Sequence, residues 1–124
     1  GRDISGPKPV ALTGLTTPWN TLALWSVPRL ARLGFLAVAE GLLPGVDGGI
    51  EEVTAIAALQ MLAAARSRPG AAALLRLPGV SWEARWADDG RRRWHERKMA
   101  SKASRAAAQM AALGLPEGAV YHIE

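Results

Sequence analysis

The sequence predicts an α+β fold, a compact single domain in which three main helical regions pack on a small sheet. Three observations lead there. Residues 50–66 are rich in helix formers behind an acidic first turn, residues 80–86 alternate apolar with polar, and residues 91–113 repeat apolar positions at helical spacing. A chain of 124 residues is one domain's length, and 49% hydrophobic with 21% charged residues is ordinary globular composition. Residues 1–8 read as a flexible N-terminal tail and 9–124 as the single globular domain.

Taken in order, 9–12 is a short apolar run ended by Thr13 and Gly14, and reads as a strand. Thr17 with Pro18 reads as the start of a helix through Trp19, Leu22 and Trp25, broken at Pro28. A short helix over 28–33 stops at Gly34, 35–39 reads as a strand, and 41–49 is a glycine-rich loop. Asp47 or Gly49 is expected to cap the next helix, whose apolar residues surround it and make it the central, largely buried one. Segments 74–77 and 80–86 flank Pro78 and Gly79 and read as a hairpin, with Trp82 and Trp86 facing inward. The last helix, 91–113, ends at Gly114 before Pro116, and 119–123 reads as a closing strand.

There are no cysteines, so disulfides, thiolate metal sites and cysteine nucleophiles are excluded. No apolar run approaches the roughly 20 residues of a membrane span. The expectation is a soluble protein, cytoplasmic by default, without membrane contact, metal or cofactor. His95 and His122 lack zinc-site spacing, and 13–20 lacks the phosphate-loop patterns, so it reads as a capped turn.

The formal charge of +4 is unevenly placed. Residues 1–61 carry four basic side chains against five acidic ones, whereas 62–110 carry eleven against four. Such asymmetry points to an anionic partner for the second half. On a helical projection of 91–113, Met99, Ala103, Ala106, Met110 and Leu113 form the core stripe. Arg91, Lys98, Lys102 and Arg105 form a separate basic stripe with Trp94 beside it, while Arg92, Arg93 and Arg97 add further charge. Cations contact phosphates and an exposed tryptophan stacks on a base, so the leading expectation is a non-enzymatic module binding a polyanion, nucleic acid above all. A solvated face neutralised by Glu83, Asp88 and Asp89 is the structural alternative. Docking of the basic helix on an acidic protein partner is a further one.

Residues 20–35, with Trp25, Pro28 and the Gly34-Phe35 pair, followed by the glycine-rich loop and 49–59, resemble the acceptor half of nucleotide-sugar glycosyltransferases of the GT-A fold. In that family a short helix ending in Gly-Phe precedes an acidic helix start whose carboxylate is the base. The resemblance implies Glu51 or Glu52 as that base. It spans about a third of the chain, and the nucleotide-binding half with its Asp-x-Asp metal motif has no counterpart. A lone chain of this kind is implied to be inactive.

Overall fold

A computed structural model describes residues 7–67, 70–81 and 83–124. Its elements are β1 (Pro9–Ala11), α1 (Val27–Leu30), α2 (Glu51–Ala64), β2 (Ala73–Leu75), α3 (Asp89–Ala100), α4 (Lys102–Leu113) and β3 (Ala119–Ile123). Single 3-10 turns occupy Asn20–Leu22 and Ala37–Glu40. The α+β class holds. β3 is the middle strand of a mixed sheet, antiparallel to β1 through Val10 opposite Val120 and parallel to β2 through Leu74 opposite His122.

The core is centred on α2. Val53, Ile56 and Ala57 of α2 join Leu12, Ile50, Ala106 and Val120, and Trp25, Leu74, Met110 and Leu115 close over them. The first half of α2 is buried on all sides, as its apolar circumference demands, while its second half reaches solvent at Met61. Gln60 fastens α2 to the sheet, since its amide donates to the Ala119 carbonyl at 2.7 Å and accepts the Ala119 N–H at 2.9 Å.

Several local expectations give way to tertiary bonds. The helix expected from Thr17 shrinks to one 3-10 turn, with Trp19 extended and the Thr17 hydroxyl donating to the Pro18 carbonyl. Asn20 is held from outside: its N–H donates to the Glu52 carboxylate, and its side chain bonds Glu51 and the Trp25 indole. These bonds to a distant helix replace a local ladder. Segment 35–39 is not a strand: it leads into the 3-10 turn Ala37–Glu40, in which Val38 and Ala39 are buried. Neither Asp47 nor Gly49 caps α2. Ile50 stands at the N-cap with a positive φ of 60°, and no side chain bonds the cap. The loop before it is gripped from α4, where fully buried Gln109 donates to the carbonyls of Asp47 and Gly49 at 2.8 and 2.7 Å.

The hairpin expected over 74–86 is not found among the described residues. β2 pairs with β3, Arg76 extends that ladder by donating to Ile123, and no strand occurs among the described residues of 80–86. The edge of β3 is the better partner because it is already fixed to β1 and to Gln60. Trp86 is exposed rather than inward-facing, and Trp82 lies outside the described residues. The capped turn at 13–20 is present: the Thr13 hydroxyl accepts from the Leu15 and Thr16 amides, and the Thr16 hydroxyl donates to Ala11 at 2.6 Å. Of the expected tail, Pro7 and Lys8 are exposed.

The long C-terminal helix is two helices. Ser101 interrupts it with ψ at 0°, and the Lys98 carbonyl accepts from the Ser101 hydroxyl and the Arg105 guanidinium. Gly114 ends α4 in the left-handed conformation, as expected. Lys102, Arg105, Ala106, Gln109 and Met110 form the inward stripe at i, i+3, i+4, i+7 and i+8, whereas Ala103 and Leu113 of the expected core stripe are exposed. Among the described residues, no helix is long and apolar enough to cross a membrane.

Candidate nucleic-acid interface

α3 is an arm. It begins where the Asp88 carboxylate accepts the Arg91 N–H at 2.8 Å, an N-cap of the preferred chemistry, and none of its residues is buried. Its inner side is identified by half-buried His95 and Met99, with the Trp86 ring tilted against His95 at a centroid distance of 4.4 Å. Arg92 lies on the adjoining side and pairs with Asp89 at 3.5 Å and Glu96 at 3.9 Å. Exposed pairs of this kind add little stability, but they occupy the Arg92 charge.

The outer side is different. At 100° per residue, Arg93, Arg97, Trp94, Lys98 and Arg91 follow one another around an arc of roughly 160° that contains no acidic residue. Arg91, Arg93, Arg97 and Lys98 form no salt bridge among the described residues. Trp94 sits within this arc, 55% exposed, with Lys98 Nζ 5.1 Å from its ring centroid. Two shallow grooves flank Asp88. One, of about 470 Å³, is lined by Trp86, Ala87, Asp88, Asp89 and Arg92; the other, of about 430 Å³, by Asp88, Gly90, Arg91 and Trp94.

The sequence-predicted basic set therefore separates. Arg91, Arg93, Trp94, Arg97 and Lys98 share one open surface. Arg105 does not belong to it, because its guanidinium donates to the Ser101 hydroxyl at 3.0 Å, the Gly48 carbonyl at 2.7 Å and the Lys98 carbonyl at 2.9 Å. Lys102 is likewise turned inward, its ammonium 3.2 Å from the centroid of the Trp19 ring. Burial holds the Lys102 amine below the ordinary lysine value, and the nearby Glu52 carboxylate opposes that shift.

Glu51 and Glu52, the acidic helix start, meet Asn20. Glu52 is buried and accepts the Asn20 N–H, and Glu51 accepts from the Asn20 amide at 3.0 Å. Among the described residues, no three His, Cys, Asp or Glu side chains converge in a way that would hold a metal ion. Two roles escaped the sequence reading. Asp88, expected to help neutralise the arginines, stands three residues before Arg91 at N-cap spacing, which was a usable signal for its capping role. Trp19 as the partner of Lys102 had no local signal, since 83 positions separate them. Comparison of the chain with protein-family models, with curated proteins and with solved structures gave no match, so the surface of α3 carries the functional reading.

Proposed function

We propose that the protein is a binding module whose α3 arm contacts a polyanion, nucleic acid before other classes, without a catalytic step. The observation that carries this reading is the half-exposed Trp94 set in an acid-free arc with Arg91, Arg93, Arg97 and Lys98. A large aromatic costs apolar burial when left in water, and cations held close together without a salt bridge repel one another, so the arc gains from an anionic partner with planar groups. Arg92 supports the fold of the arm through Asp89 and Glu96, and Lys102 and Arg105 hold the arm's root.

The test is the salt dependence of binding to dye-labelled oligonucleotides, followed by fluorescence anisotropy. Each phosphate neutralised contributes roughly 0.7 to the log–log slope for a single strand and 0.9 for a duplex, so four free cations give a slope of about −3 to −4. No binding at low salt overturns the reading.

A further inference from the structure

Lys98 covers one face of the Trp94 ring. The indole also walls the groove of about 430 Å³ that Asp88, Gly90 and Arg91 complete. An indole with a cation on one face and a groove beside it is a stacking platform, and every base has a π-face to place there. Bases within a duplex are stacked on their neighbours, and extruding one costs energy. Asp88 adds direction. One of its carboxylate oxygens accepts the Arg91 N–H, and the other takes no hydrogen bond among the described residues. A carboxylate only accepts, so it pairs with an amino group and repels a carbonyl oxygen. A Cβ on Gly90 would stand 3.1 Å from Asp88 Oδ1, the oxygen that accepts the Arg91 N–H.

Building on the polyanion reading above, we infer that the groove between Trp94 and Asp88 receives one unpaired base bearing an exocyclic amino group, so that the arm's ligand is single-stranded nucleic acid. The indole stacks on the base, Asp88 accepts its amino N–H, and Arg91, Arg93 and Arg97 meet the flanking phosphates.

The experiment compares dye-labelled oligodeoxycytidine, oligodeoxyuridine and a mixed-sequence duplex of equal length, at one low salt concentration and again at higher salt. The two single strands carry similar rings that present an amino group or a carbonyl at the same edge. Oligodeoxycytidine is expected to bind about fivefold more tightly than oligodeoxyuridine, and both more tightly than the duplex. Asp88→Asn keeps the cap oxygen while turning a donor toward the groove, and is expected to remove or invert the preference. Trp94→Ala is expected to weaken single-strand binding by about fivefold or more. Equal affinity for all three ligands, a preference unchanged in Asp88→Asn, or native binding by Trp94→Ala overturns the inference, and the polyanion reading then stands if binding still falls with salt. Failure of all three ligands to bind at low salt overturns that reading and the inference with it.

Discussion

Lys102 sets its ammonium 3.2 Å from the centroid of the Trp19 ring, tying the first residue of α4 to the loop that follows β1. Five residues before Trp19, the Gly14 turn presses against the same helix: a Cβ built on Gly14 collides with the Lys102 carbonyl and stands 3.1 Å from Ala103 N. The root of α4 is thus clamped, and α3 projects from it beyond Ser101. Of one basic stretch of sequence, the fold takes up Lys102 and Arg105, whereas Arg91, Arg93, Arg97 and Lys98 form no salt bridge among the described residues.

Removing the clamp costs stability. Lys102→Met and Trp19→Leu are each expected to destabilise the fold by about 1 kcal/mol, with a coupling of similar size in the double variant, because a half-buried cation–π contact lies between the exposed and desolvated limits. Chemical denaturation of the four proteins checks this. Additive effects would show that the two side chains do not interact.

Lys102 also imposes a pH dependence. Burial places its folded pKa below the ordinary 10.5. Between the two values the unfolded chain holds more protons at this site than the folded chain, so its contribution to stability rises with pH across that interval and is flat below it. The native protein is expected to gain stability relative to Lys102→Met as pH climbs toward 10.5. A relative loss over that range would mean that the Trp19 and Glu52 contacts outweigh burial.

Gln109 is fully buried and holds the loop before α2 through two carbonyls. Gln109→Glu preserves shape but presents an ionised acceptor to two acceptors, and is expected to cost about 3 kcal/mol or more at neutral pH. Acidification protonates the carboxyl, restores one donor and recovers part of the loss relative to the native protein. Denaturation midpoints at neutral and mildly acidic pH read both effects.

Two glycines separate steric from torsional demands. Gly14→Ala forces β1's turn off the α4 backbone and is expected to abolish cooperative folding, since the obstructing atoms are backbone and do not move aside. Gly34 has a φ of 70° with nothing near its missing Cβ, so Gly34→Ala is expected to cost only about 1 kcal/mol of left-handed strain. Thermal unfolding followed by circular dichroism distinguishes them.

Much of the framework was legible because it depends on local chemistry. Glu51 and Glu52 ahead of an apolar run announced α2, Gly114 marked the end of α4, and the apolar 9–12 and 119–123 segments supplied two strands, whereas the helix expected over 28–33 already ends at Leu30 with Ala31 as its C-cap. What escaped depends on distant partners. The alternation of 80–86 looked like a strand, but β2 found the edge of β3 instead. Apolar residue type put Ala103 and Leu113 in the expected core stripe, while the place is taken by Gln109, a fully buried polar residue whose donors go to a loop about 60 positions away. Lys102 and Arg105 read as surface cations from residue type alone, and only their distant partners Trp19 and Gly48 turn them inward. For the candidate site, the exposed Trp94 among α3 cations was readable from residue type and spacing, and Asp89 was among the acidic residues expected to neutralise the arginines, as it does for Arg92.

The division between α3 and α4 is tested most directly by comparing two variants in the same salt titration with a labelled single strand. Replacing Arg91, Arg93, Arg97 and Lys98 together by alanine is expected to leave the unfolding midpoint nearly unchanged, as none of the four is buried, and to flatten the log–log slope by about 3 units. Lys102→Met combined with Arg105→Met is expected to lower the midpoint and leave the slope of the folded protein as it was. A slope that survives the loss of the four α3 cations, or that collapses only with Lys102 and Arg105, would contradict the assignment of binding to the arm.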